Sequence, residues 1–376
     1  MSIKQSIERN ILNYKGWTTN RKIVVIESDD WGSIRMPSKE VYDDFLKDGI
    51  SVGNCPYNKY DSLETKEDLN SLFNVLINHK DEKGNHPIVT ANTVVANPNF
   101  KKIENSNFKI YYYESFIETY KRYSDCDNNL NLWKQGIERK IFYPQFHGRE
   151  HVNVALWFKL LQENNPIFIK AFKNEMWGIG PLITGVINAN IQAAFDGNHN
   201  DEIEFHKDCI NEGLNLFEEI FGYKSKSFIA NNFIWDSDLE SILKKKGILF
   251  LQGMKYQLLP KFEKGTRLKI RHFIGDTNQL GQIYLTRNCE FEPTQHQNFD
   301  NIGKCLADIK NAFFWKKPAI ITSHRLNFMG SLDITNREDN LKQLDDLLKL
   351  ILLKWPNVEF MNSEELGNLI SVDKNK

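Results

Sequence analysis

The chain has 376 residues, 41% hydrophobic and 26% charged, with 48 Lys and Arg against 49 Asp and Glu. That balance closes a core, and it excludes a disordered chain, a collagen-like repeat and a disulfide miniprotein. The formal net charge of −1 provides no overall field for nucleic acid or anionic lipid and leaves room only for a local basic patch.

Residues 1–17 contain no apolar stretch of the signal-peptide kind, and no segment reaches the roughly 20 apolar residues that span a bilayer. The five cysteines, Cys55, Cys126, Cys209, Cys289 and Cys305, are scattered and form no CxxC. This pattern predicts a cytoplasmic protein in a reducing compartment, with no membrane span and no nucleic-acid partner.

Short β-branched runs follow at 22–28, 87–95, 140–146, 227–233, 247–253, 282–286, 319–323 and 358–362. Most read as strands buried on both faces, as in a parallel sheet covered by helices. Helical patterns lie between several of them, at 149–163, 202–221, 237–246, 299–314 and 337–354, with Asp236 and Asn336 at expected N-cap positions. Alternating strands and helices predict βα units.

Chemistry-bearing residues follow the strands. Asp29-Asp30-Trp31 follows the first run and His147 the third. The fourth ends in Asn231-Asn232-Phe233-Ile234-Trp235, and His324-Arg325 follows the seventh. In parallel α/β proteins the site lies at the carboxyl ends of the strands, so these residues predict one shared polar rim.

His147-Gly148-Arg149-Glu150-His151 puts two imidazoles at i and i+4, one face of a helix, where both can reach one metal ion. With Asp30 they compose a two-His, one-carboxylate site. Adjacent Asp29 can stay free as a base, and His324 can protonate a leaving group. The same five residues also match HxxEH, in which Glu150 is the base and Glu218 or Glu219 a third ligand. Trp31 and Trp235 suit stacking on a sugar face and equally suit an ordinary core. No GxSxG, P-loop or GxGxxG is present, which argues against an elbow-type serine hydrolase, a P-loop NTPase and a Rossmann dehydrogenase.

VIESDDW, HGREH, FIANNFIW and IITSH occur in the order of four motifs of the polysaccharide deacetylases, carbohydrate esterase family 4 with its NodB-type homology domain. The chain resembles that family over residues 29–324. The resemblance implies a distorted (β/α) barrel of about seven strands as a single domain over 1–376, with large insertions at 32–140 and 152–226. It implies a divalent metal, zinc in most members, on Asp30, His147 and His151, with Asp29 as base and His324 as acid. It also implies a backbone N–H of Phe233 aimed at the oxyanion. The substrate would be an acetylated sugar or saccharide, with a small cyclic amide or a binding-only barrel as alternatives. Asn232 stands where the family has proline, and Ala230 where it has the arginine that orients the base. Arg149, Arg287 and Arg325 are candidates to replace that arginine. The family's acidic motif that tunes the late histidine has no clear counterpart.

Overall fold

All eight apolar runs hydrogen-bond into one sheet in the computed structural model, which describes residues 3–180, 191–197 and 199–374. The strands in chain order are β1 (Lys22–Trp31), β2 (Val89–Thr93), β3 (Ala96–Pro98), β4 (Tyr113–Ser115), β5 (Phe142–Phe146), β6 (Ser227–Phe228) and β7 (Phe250–Gly253). After them come β8 (Tyr256–Glu263), β9 (Thr266–Arg271), β10 (Ile283–Thr286), β11 (Cys289–Glu290), β12 (Ala319–His324) and β13 (Val358–Phe360). Seven lie side by side in the order β10-β7-β6-β5-β2-β1-β12, with β11 beside β12 and β13 beside β1, and every pairing is parallel.

The sheet curls into a distorted (β/α) barrel. The chain leaving β10 crosses from one edge to the other: Arg287 N–H donates to Gly253 O at 2.9 Å and Asn288 N–H to Ile320 O at 3.1 Å. Alternation along β1 sets the two faces. Ile23 and Val25 point inward, to Phe250, Ile283, Leu285 and Ile320. Val24 and Ile26 point outward into the layer of helices. The terminal helix Ser363–Lys374 presses Leu366 and Ile370 onto the inward cluster. A Cβ on Gly367 would lie 2.5 Å from the Phe250 ring. Gly367→Ala is therefore expected to destabilise the fold by about 1–3 kcal/mol through overpacking, read from chemical denaturation midpoints; an unchanged midpoint would contradict this packing.

Above that apolar plug the barrel interior is polar. Asn92 Nδ2 donates to Asp29 Oδ1 at 2.7 Å and to Gln252 Oε1 at 2.9 Å, Gln252 Nε2 donates to Ser227 Oγ at 2.7 Å, and Ser227 Oγ lies 2.8 Å from Gln145 Oε1. This chain of bonds crosses five strands and supports the carboxyl-end rim from below.

Some local elements differ from the sequence reading. The helix expected over 149–163 is Val154–Gln162, capped by Asn153, whose side chain accepts from Leu156 N–H. The helix expected from 337 begins at Ile334 with Asp333 as its cap, and Asn336 is buried inside the first turn. Span 32–140 contains the central strand β2 as well as the loops on either side of it. Part of span 152–226, residues 181–190 and 198, lies outside the described residues. No described helix is long and apolar enough to cross a membrane.

Candidate metal centre

Asp29 and Asp30 end the same strand yet face different partners, because β1 carries a bulge. Ser28 pairs with Ala91 and Trp31 with Thr93, so two residues of β1 stand against one of β2. Asp30 takes φ +77°, an uncommon conformation for a non-glycine residue, and the bulge swings its carboxylate out of strand alternation. Asp29 keeps the inward direction of Glu27 and Val25.

His147 follows β5 directly, tied by its N–H to Thr93 O at 2.9 Å. Gly148 takes φ +116°, and His151 lies in irregular chain before the helix at Val154. The expected helical i,i+4 pairing is thus replaced by a loop, which still brings the two rings to 5.1 Å between centroids. Both Nε2 atoms converge on Asp30 Oδ1, at 3.3 Å from His147 and 2.9 Å from His151. One ligand atom from each of the three residues lies within 4.8 Å of the others, and all three residues are buried. His147 Nδ1 lies 2.9 Å from Ile229 O, which fixes the proton there and leaves Nε2 as the lone-pair atom. His151 Nδ1 is buried without a hydrogen-bond partner among the described residues, and burial holds the ring's pKa down to about 4. Two buried imidazole nitrogens converging on one carboxylate oxygen fit a divalent cation.

Arg35 donates Nη2 to Asp30 Oδ2 at 2.9 Å, so Oδ1 is the oxygen left for an ion. The guanidinium lies 4.8 Å from the centroid of Trp177, which also stacks on His151. Burial raises the Asp30 pKa, but Arg35 and the two imidazoles outweigh it and hold the carboxyl well below its usual range.

Asp29 is gripped at both oxygens: Arg287 Nη2 donates to Oδ1 at 2.6 Å and Nη1 to Oδ2 at 2.7 Å. Arg287 Nε donates to Glu27 Oε2 at 2.6 Å. Of the three arginines named from sequence, Arg287 is therefore the one beside Asp29. Arg325 pairs with Asp61 and Glu64. Burial raises the Asp29 pKa, yet Arg287 prevails and brings it to about 2.

His324 ends β12, with Nε2 3.8 Å from Asp29 Oδ2 and Nδ1 2.5 Å from Glu292 Oε1. Asn327 Nδ2 donates to the other Glu292 oxygen at 2.8 Å. Burial lowers the His324 pKa, but Glu292 outweighs it and lifts the ring to about 9. Glu292 is the acidic partner that sequence reading missed. It stands just after β11, a two-residue strand too short to show a period.

Asp29, Asp30, His147, His151 and His324 line one cavity of about 270 Å³, together with Arg35, Tyr57, Gln192, Asn232 and Phe233. Arg35 and Tyr57 come from span 32–140 and Gln192 from span 152–226, so both spans reach the rim. The Tyr57 ring sits edge-on to His324, with centroids 5.5 Å apart.

Six candidates take other places. Trp31 is fully buried between Trp133 and Phe142 and donates Nε1 to Ser28 Oγ at 3.0 Å. Trp235 is 3% exposed in the cluster under helix Asn200–Phe221. Neither ring is available to a sugar; apolar core packing claimed both. Arg149 turns away, with Nε 2.5 Å from Glu150 Oε2 and its guanidinium 4.3 Å from the centroid of Tyr113. Glu150 is held by that pair, and Glu218 and Glu219 are exposed, so the HxxEH arrangement is not assembled. Asn232 and Phe233 do reach the cavity, at φ +55° and +59°. The Phe233 N–H, however, already donates to Ala230 O at 3.0 Å, a bond it would have to break to serve an oxyanion.

The fold and these side chains define a class: a (β/α) barrel with a buried two-histidine, one-carboxylate centre at its carboxyl rim. No family model matches the chain, and no curated protein does. Among solved structures it is similar to a protein described as a polysaccharide deacetylase from Mycobacterium smegmatis, at 9% identity and TM-score 0.46, covering 96% of this chain and 94% of that one. It is similar to the PuuE allantoinase at 8% identity and TM-score 0.45, covering 94% and 91%. A carbohydrate esterase family 4 pseudoenzyme from Bacillus anthracis follows at 10% identity and TM-score 0.37, covering 93% and 66%. The chemistry of this chain is read from its own side chains.

Proposed function

We propose that the chain is a metal-dependent hydrolase that removes an acetyl group from a sugar or short saccharide, with zinc as the ion on Asp30, His147 and His151. One observation carries this reading. The Asp-His-His centre shares its cavity with two further groups of opposite protonation, a carboxylate held by Arg287 and an imidazolium held by Glu292. A divalent ion bound there supplies Lewis-acid polarisation and a more acidic water.

The protein's own groups do the rest. Asp29 is ionised at neutral pH, with both oxygens fixed by Arg287 and Oδ1 also bonded to Asn92. A carboxylate this acidic contributes by placing and orienting the attacking water more than by strong basicity. His324 is protonated and faces the same space through Nε2, so it can hand its proton to a departing amine or alkoxide while Glu292 retains the imidazole's orientation. Tyr57 and Phe233 wall the cavity, whose size suits one sugar ring better than a polymer lying in an open groove. Arg287 beside Asp29, in the role of the arginine that the sequence lacks at Ala230, supports an active enzyme over a binding-only barrel.

A panel of N- and O-acetylated mono- and disaccharides, assayed for acetate release with zinc added, tests the proposal. Release from at least one, abolished by chelation, is the expected result. Hydrolysis of a cyclic amide alone would replace the substrate class and keep the chemistry.

The pH profile follows from the same groups. Turnover needs protonated His324, whose pKa is raised to about 9, and ionised Asp29, whose pKa is lowered to about 2. The rate should be level through neutral pH and fall as pH rises through about 9, where the imidazolium loses its proton. His324→Ala should remove that alkaline limb as well as lowering the rate; a limb that persists in the variant belongs to another group.

A further inference from the structure

The hairpin β8–β9 belongs to neither the barrel nor the metal centre. It leaves β7 at its carboxyl end and forms a separate two-stranded sheet, joined to the segment after β6 by a single bridge between Leu258 and Ile234. Trp235, two residues beyond the cavity residue Phe233, donates its N–H to Leu258 O at 3.1 Å, so the hairpin stands beside the cavity mouth. Span 255–271 holds six Lys or Arg and a single acid, Glu263, in a chain whose net charge is −1. Lys261 pairs with Asp236 at 2.8 Å and Arg267 with Asp196 at 2.7 Å. Lys255, Lys264 and Lys269 make no ion pair among the described residues, so their charge is available, and Arg271 is likewise without an acidic partner there, though its guanidinium lies over Tyr14 and Phe273.

Cations and apolar residues alternate along the ribbon, so Phe262, opposite Arg267, shares the face of Lys269 and Arg271, whereas Leu268 and Ile270 point to the other face. Phe262, near the tip, is 57% exposed, and Leu268 and Ile270 are 36% and 37% exposed. The patch continues onto the amino-terminal helix Ile3–Asn13, where Arg271 Nη2 donates to Ile11 O at 2.7 Å and Ile7 and Ile11, one turn apart, are 53% and 40% exposed. A soluble polyanion would use the cations and gain nothing from exposed aliphatics. A bilayer interface uses both: lipid headgroups take the charge, and the apolar side chains enter the boundary beneath them.

We propose that the β8–β9 hairpin and the adjoining helix face dock on an anionic lipid bilayer. The assignment stands apart from the hydrolase reading, since it uses none of the residues of the metal centre.

Flotation of the full chain with phosphatidylcholine vesicles, and with vesicles containing about 30% phosphatidylglycerol, tests it. The expected result is binding to the anionic vesicles at least about tenfold tighter than to the neutral ones, weakened by salt. Lys264→Glu with Lys269→Glu should reduce that binding about tenfold or more, and Phe262→Ser should reduce it at unchanged charge. These side chains are exposed, so circular dichroism and melting should match the parent. Equal partitioning to both vesicle types, no vesicle binding, or full binding by the charge-reversed variant would overturn the proposal. So would retention on dextran sulfate without vesicle binding, which would make the face a polyanion site.

Discussion

Asp29→Asn is expected to lower turnover about 10²–10⁴-fold, the usual range for losing a general acid–base group, while zinc binding at the proposed Asp30, His147 and His151 site is retained. Asparagine preserves shape but places an amide NH₂ against Arg287 or against the water that Asp29 would orient, and it carries no charge to hold a proton. Asp30, His147 and His151 do not depend on it, because the Asp30 carboxylate is anchored by Arg35 and His147 by Ile229 O. Kinetics and elemental analysis on the same sample separate the two readouts. If the variant loses its metal, Asp29 is a ligand and the division of labour proposed for the pair is wrong.

Arg287→Met should be the most damaging single change to stability. Arg287 is 1% exposed and joins Glu27 and Asp29, which are 0% and 2% exposed. Removing one partner of a buried charge cluster costs about 3–5 kcal/mol, because the remaining charges lose compensation. The loss should depend on pH with a definite sign. Asp29's pKa is depressed in the fold, so its contribution is present above the ordinary 3.8 and is lost as pH falls through about 2. The gap between parent and variant should therefore be wide at neutral pH and narrow towards acid, as read from urea midpoints. A gap independent of pH would mean that the guanidinium acts mainly as packing.

The barrel was legible because its strands are buried on both faces and read as unbroken β-branched runs. The hairpin β8–β9 was not, since Tyr256–Glu263 and Thr266–Arg271 mix charged and apolar residues in a two-stranded ribbon with no core to impose a period. The centre was legible as a set of residues but not as a geometry. HxxxH spacing suggests a helix, whereas Gly148 and the bulge at Asp30 do the positioning, and neither is visible in spacing. Trp31 and Trp235 were open in sequence between a sugar face and the core, and burial under the helices decides for the core. Arg287 was one of three candidates, and only curling of the sheet, which brings the end of β10 to β1, selects it. Glu292 required the same long-range fact.

The most direct measurement is a titration of metal-stripped protein with zinc, following acetate release and bound metal together. The account predicts that both rise in parallel and level off at one ion per chain, and that His147→Ala with His151→Ala abolishes both. Acetate release without metal, or full metal retention in that double variant, would contradict it.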